Sequence, residues 1–270
     1  MSAARSQPPA LEPYLNLPPE ISLTLLTGTL GFTATFLASR YVGSVLHSTN
    51  EEVADDDAAV LLVSWMRDAA FWKNEIRRGT GLDVSRQSQL GKFAFVDCFS
   101  NNAGCTLVEA EKSVLAALSR LSKPPQSEGR FKKITLLLDS PDILLATSTT
   151  TAAALSKFLL TLRSQEHVQN TILSLSADSP FLSAAVPGST DSAPTPIEVE
   201  TAAFITSQAH AAQLVLSVRG LDTGAATDVS GVLRATRGGD CGDEVEIQEG
   251  ELLYLMQRDG NVKVFERGSG

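Results

Sequence analysis

Ile21-Ser-Leu-Thr-Leu-Leu-Thr-Gly28-Thr-Leu-Gly31-Phe-Thr33-Ala-Thr35 is the stretch on which the reading of this chain turns. An apolar run ends in Thr27-Gly28, and an apolar, helix-patterned stretch begins soon after, which is the strand, tight turn and helix layout of a nucleotide cradle. Against Gly-x-x-x-x-Gly-Lys-[Ser/Thr], Gly28 fills the first glycine, but Thr33-Ala34-Thr35 stand where Gly-Lys-Thr belongs. A register that puts Gly31-Phe32-Thr33 in that slot leaves a phenylalanine at the lysine position. Neither alignment supplies a cation. In phosphoryl transfer that lysine and a magnesium ion offset the charge of the β- and γ-phosphates, so the frame is present without its chemistry. A plain buried strand and helix joined by a glycine turn accounts for the segment equally well.

Outward from this stretch, short apolar runs alternate with longer helical ones. Ile21–Thr27, Ala59–Ser64, Lys92–Cys98, Lys132–Leu138, Thr171–Ser176 and Gln213–Val218 are nearly continuous hydrophobic runs, the pattern of strands buried on both faces. Between them Thr33–Leu46, Ala69–Arg78, Thr106–Leu121, Thr149–Leu162 and Ile197–His210 carry apolar residues at three- and four-residue spacing. The alternation predicts an α/β fold: right-handed crossovers, a mainly parallel sheet and helices on both faces. After Val218 the helices stop. Asp228–Arg237, Glu251–Gln257 and Val262–Glu266 read as strands, with Arg258-Asp-Gly-Asn261 as a hairpin turn, so an antiparallel extension is expected to close the sheet.

At 270 residues and 43% hydrophobic content the chain suffices for one large core, burying roughly three quarters of its unfolded surface. A proline-rich, flexible lead-in over residues 1–20 and one domain over 21–270 are expected. His47–Asp57, Ser122–Arg130, Pro187–Pro196 and Gly238–Gly250 read as surface loops on that one core. The first twenty residues show no signal-peptide pattern, and polar residues interrupt Ile21–Leu46, which argues against a membrane span. Net charge −9 excludes a surface broadly complementary to phosphate backbones, so nucleic-acid contact is expected only where cations cluster. Three scattered cysteines, Cys98, Cys105 and Cys241, give neither a disulfide framework nor zinc spacing, and suit a reducing compartment.

Candidate chemistry is sparse. Ile134–Leu138 ends in Asp139, the form that places a magnesium-coordinating carboxylate at the carboxyl edge of a parallel sheet; Asp139-Ser140-Pro141 reads equally as a turn and helix entry. Phe93–Phe99 has the same shape, with Asp97-Cys98-Phe99 where RecA-type ATPases carry Asp-Thr-Glu, and so without the water-orienting glutamate. His47, His167 and His210 lie near helix ends with no ligand set around them, and the hydroxyl run Ser148–Thr151 reads as helix entry. Lys73, Arg77 and Arg78 share a helical face after Trp65 and Trp72, either a phosphate-binding surface or a solvated one. Arg219, Arg234 and Arg237 flank the polar loop Leu221–Asp228 and are the nucleic-acid-binding candidates. No catalytic residue, cofactor site or metal site is assigned.

Taken in order, these elements resemble the sixth subunit of the Elongator complex. The carrying segments are Val63-Ser-Trp-Met-Arg67 with Phe71-Trp-Lys-Asn-Glu75, Asp228–Arg237, and Glu251–Arg267. The resemblance spans roughly residue 20 to the end and implies a RecA-like fold lacking its Walker chemistry. It also implies partners: a heterohexameric ring with the fourth and fifth Elongator subunits, docked on the catalytic subcomplex. That ring binds tRNA and supports wobble-uridine modification, in the cytoplasm and nucleus, with the loop beside Arg219 facing its pore. Two other readings stand beside it: a nucleotide-binding ATPase subunit whose phosphate cation comes from Lys73, Arg77 or a neighbouring subunit, and a recombination-type DNA-binding paralogue.

Overall fold

The computed structural model describes residues 8–18, 21–47, 58–100, 106–122, 132–147, 149–186, 188, 193–222, 224, 226, 228–242 and 246–266. Among these residues nine strands form one sheet: β1 (Ser22–Gly28), β2 (Ala58–Ser64), β3 (Phe93–Asp97), β4 (Lys133–Asp139), β5 (Val168–Ser176), β6 (Leu214–Arg219), β7 (Gly231–Arg237), β8 (Gly250–Met256) and β9 (Val262–Glu266). Their spatial order is β3-β2-β4-β5-β1-β6-β7-β8-β9. The first six run parallel, and β7, β8 and β9 continue the sheet antiparallel. The parallel core and its antiparallel extension are thus as the apolar runs implied, with strand ends within a few residues of those read from sequence.

The helices are α1 (Glu12–Leu15), α2 (Thr35–His47), α3 (Ala69–Thr80), α4 (Val84–Gln89), α5 (Leu107–Leu121), α6 (Ile143–Ala146), α7 (Ala152–Arg163), α8 (Ser179–Ser183) and α9 (Pro196–Ala211). Their starts are chemically marked. Thr106 and Thr195 close capping boxes with Glu109 and Glu198, and Asp68 accepts from the Phe71 amide. The chain moves along the sheet one way from β1 through β2 to β3, then back through β4 and β5 to β6. A right-handed crossover puts the connecting helix on opposite faces for opposite directions of travel, so α2 and α3 share one face while α5, α7 and α9 share the other. Period-two alternation divides the core accordingly. Leu25, Leu61, Val63, Leu136, Leu138 and Leu173 face α5, α7 and α9; Leu26, Leu62, Leu137, Ile172 and Leu216 face α2 and α3.

The lead-in needs correction over its described part. Pro9–Leu11 form a 3-10 turn running into α1, and Leu11, Tyr14 and Leu15 are buried in the α2-side core. Two of the prolines that suggested flexibility, Pro9 and Pro13, instead sit in helix first turns, where a missing N–H removes no bond. Tyr41 Oη donates to the Tyr14 carbonyl at 2.6 Å, Ser44 Oγ to the Leu15 carbonyl at 3.1 Å, and Tyr14 Oη to the Gln248 carbonyl at 2.9 Å. Tyr41→Phe is therefore expected to cost about 1–2 kcal/mol in urea unfolding, because the Tyr14 carbonyl loses a buried donor. An unchanged midpoint would mean that the segment is held by something else.

Candidate functional site: a cradle bridged at both switch points

In an open parallel sheet a ligand crevice opens at the carboxyl edge where neighbouring strands send their helices to opposite faces. Besides the edge pair β3 and β2, this sheet has two such places: β5 beside β1, and β2 beside β4. Both are bridged by the protein's own polar groups.

At the first, β1 ends in Gly28 and the chain turns at once. Phe32 N donates to the Thr29 carbonyl at 2.7 Å, Thr29 and Phe32 form a β-bridge, and Gly31 takes φ +83, a left-handed value that suits glycine. A Cβ on Gly28 would stand 2.5 Å from the Phe32 carbonyl oxygen, so the turn is folded directly onto the strand end. The Phe32 ring lies against Gly220 after β6, within 2.8 Å of where a Cβ would be. The Leu30 amide, which in an open cradle would face a phosphate, donates instead to Asp178 Oδ1 at 2.6 Å. Asp178 occupies the N-cap position of α8 but makes no side-chain cap bond there. The Leu30 amide is thus occupied by a carboxylate, and residues 28–35 carry no lysine or arginine.

At the second, Asp139 ends β4 with its side chain 2% exposed. It accepts from Arg67 Nη1 at 2.9 and 3.1 Å, from Ser64 Oγ at 2.7 Å and from Ser140 Oγ at 3.2 Å. Ser64 Oγ also accepts from the Arg67 amide at 3.0 Å, which ties the β2 turn to the same carboxylate. Arg67 lies over the Phe71 ring at 5.3 Å. Ser140 follows with φ +56, an αL value uncommon for a residue other than glycine. Neither Asp139 nor Ser140 caps the following helix. Asp142, further along the same loop, accepts from the Ser176 amide through Oδ2 at 3.0 Å, while its buried Oδ1 has no hydrogen-bond partner among the described residues. Burial pushes its carboxyl up to about 6, with Asp139 and Asp178 adding to the rise and the Ser176 amide opposing it.

The Asp97-Cys98-Phe99 element proves to be elsewhere. Sequence order put it one strand before Asp139, but β2 intervenes in space and β3 is the sheet edge. Four strand spacings, roughly 19 Å, separate it from β1. Asp97 caps its own turn through the amides of Phe99 and Ser100, and the group beside Asp139 is Ser64. Neither strand end brings a water-orienting carboxylate to the cradle.

The three arginines do not form one cluster. Arg219 ends β6 and binds Asp222 at 2.6 Å and Glu251 at 3.1 Å, contacts that hold its guanidinium charged and occupied. Arg234 is exposed on β7, opposite Ser217 and Glu251 and on the same face as Arg219. Arg237 is the correction: it pairs with Leu214 at the far end of that ladder, about 17 Å away, and donates to the Gly242 carbonyl. It borders the loop after β7, whereas the Leu221–Asp228 loop precedes β7. Parts of that loop, with Cys105 and Ser148, lie outside the described residues. Arg78 of the basic α3 face reaches the β8–β9 hairpin, donating to the Arg258 carbonyl at 3.2 Å. Among the described residues no group of three or more His, Cys, Asp or Glu is placed to hold a metal ion, and no helix is long and apolar enough to cross a membrane.

No protein-family model and no curated protein matches the chain. Among solved structures, the KaiC-like protein from the hyperthermophilic archaeon Pyrococcus horikoshii superposes with a TM-score of 0.55, covering 90% of this chain and 89% of that one at 14% identity. The fold is RecA/KaiC-like α/β. A likeness at that identity carries the architecture and leaves the chemistry to the residues above.

Proposed function

We propose that this chain is a non-catalytic RecA-like subunit of a hetero-oligomeric ring, and within that class the sixth subunit of the Elongator accessory ring, assembling with the fourth and fifth subunits to bind tRNA. The observation that carries the non-catalytic half is the Leu30 amide bonded to Asp178, in a turn that holds no cation. A phosphate would have to displace a carboxylate and then sit beside Asp178 and Asp142 uncompensated. The assembly half is supported by exposed apolar side chains at the carboxyl edge: Leu30, Met66, Phe71, Phe99, Leu182 and Val186 all follow the carboxyl ends of β1, β2, β3 or β5. Such a surface is expected to be covered by another protein. The Elongator assignment itself rests on the sequence resemblance.

The test is co-expression with the two presumed paralogues, followed by native mass measurement and titration with labelled ATP. A complex holding all three chains is expected, and the isolated chain should neither bind nor hydrolyse ATP measurably. A lone monomer that ignores the paralogues would sink the assembly reading; saturable ATP binding lost in Asp139→Ala would favour an ATPase.

For tRNA, Arg234 is the arginine best placed in this reading, being exposed on β7. Arg219 and Arg237 are the next candidates. Arg234→Ala in the assembled ring should lower the salt dependence of tRNA binding by about one unit of log–log slope. Equal slopes for altered and unaltered rings would return Arg234 to a structural role, and preference for single-stranded DNA would favour the recombination-type reading.

A further inference from the structure

At the amino edge of the sheet, opposite the cradle, α1 and the chain after it do not seal against the strands. They leave a cavity of about 240 Å³ between residues 13–18, the starts of β1 and β6, and residues 246–248. At roughly 30 Å³ per water it holds about eight waters' volume, below the roughly 300–1,000 Å³ of pockets for drug-sized ligands. A nucleotide is therefore too large, and one extended side chain or a small organic molecule fits.

The lining selects the chemistry. Pro13, Pro18 and the Tyr14 ring give apolar walls, and none of the described lining residues is Lys, Arg or His. The one charged residue type among them is Glu246, and it is exposed. Gln213, also in the lining, has a buried Oε1 with no hydrogen-bond partner among the described residues, an unpaired amide acceptor behind the cavity wall. The Gln248 carbonyl, by contrast, is already taken by Tyr14 Oη. A carboxylate, an unpaired amide oxygen and an aromatic ring in a cavity of mixed polar and apolar lining match a planar cation with several N–H donors. An anion would meet Glu246 without any compensating charge.

We infer that this cavity is a guanidinium-binding site, filled either by a small free guanidine compound or by an arginine side chain of a partner protein. The inference is independent of the ring reading, because it uses no residue of the cradle or of the carboxyl edge.

The experiment is calorimetric and NMR titration of the full chain with butylguanidinium, with neutral butylurea as the uncharged comparison and the tripeptide Gly-Arg-Gly as the partner-side probe. Butylguanidinium is expected to bind saturably with Kd on the order of 1 mM, as suits so few atoms, and to shift the Tyr14 signals. Butylurea should bind about tenfold more weakly, as should butylguanidinium to Glu246→Gln, since a charge-assisted hydrogen bond is lost in each case. Glu246 is exposed, so that variant keeps its fold, and its unfolding midpoint verifies this. Tighter binding of Gly-Arg-Gly assigns the site to a protein partner; equal or weaker binding assigns it to a free compound. Equal affinity for butylurea, no change in Glu246→Gln, or no saturation at roughly 50 mM would overturn the assignment.

Discussion

Arg67→Ala is expected to destabilise the protein by about 3–5 kcal/mol, far more than the 0–1 kcal/mol of an exposed ion pair. The difference lies in where the partner sits. Asp139 is 2% exposed at the end of a central strand, and Arg67 is its cation. Removing the guanidinium leaves a carboxylate with two hydroxyl donors, Ser64 and Ser140, and no countercharge in a poorly hydrated crevice. Lysine would be a partial substitute, because one ammonium makes a point contact where Arg67 places Nη1 on both carboxylate oxygens and its plane over Phe71. The check is a urea double-mutant cycle with Asp139→Asn. The single Arg67→Ala change should be the costliest corner, and the double variant should recover part of the loss because it no longer buries a charge. A cost below about 1 kcal/mol would mean that water reaches Asp139 and that the second switch point is open.

That ion pair also marks where sequence reading stops. Arg67 and Asp139 are 72 positions apart, and they meet only because β2 and β4 are neighbours. Each parallel strand was legible by itself, since a strand buried on both faces is a continuous apolar run. Nothing in such a run states which strand lies beside it. Asp97-Cys98-Phe99 comes one strand before Asp139 in sequence, whereas the crossover from β3 to β4 passes over β2. The missing lysine was legible, because it is a matter of residue type at a fixed spacing. The Asp178 carboxylate on Leu30 was not, since an aspartate before Ser179-Pro180 reads locally as an N-cap. For the amino-terminal segment a signal was present and outweighed: Leu11, Tyr14 and Leu15 stand at i, i+3 and i+4, the stripe of a packed helix, amid prolines that suggested a loose chain. Arg219 and Arg237 looked adjacent to one loop because a strand's length, invisible in composition, separates its two ends.

The remaining large effect concerns Asp142, whose carboxyl is pushed up to about 6 by burial and by Asp139 and Asp178. A raised folded-state value means that the folded protein holds this proton more tightly than the unfolded chain does. Its contribution is thus fully favourable below about pH 4, falls as the pH rises towards 6, and stays at its lower level above that. A shift of roughly two units corresponds to about 3 kcal/mol lost across that window. Asp142→Asn carries the uncharged form at every pH and keeps an oxygen for the Ser176 amide, so it removes this loss while leaving the other titrating groups in place. Unfolding free energies of both proteins, measured from about pH 4 to pH 7.5, are expected to diverge in favour of the Asp142→Asn variant by about 3 kcal/mol, with most of the change between about pH 4 and 6 and a plateau above. Comparing slopes cancels any fixed cost of an imperfectly bonded amide at the site. Parallel curves would show that Asp142 is hydrated or shares its proton with Asp139, and that the loop after β4 is looser than its bonds to Ser176 and Ser174 imply. Divergence would show instead that this loop holds a neutral carboxylic acid at acidic pH and a strained carboxylate above about pH 6. A phosphate arriving at neutral pH would then meet that carboxylate with Asp178 close by, the charge arrangement that the non-catalytic proposal calls for.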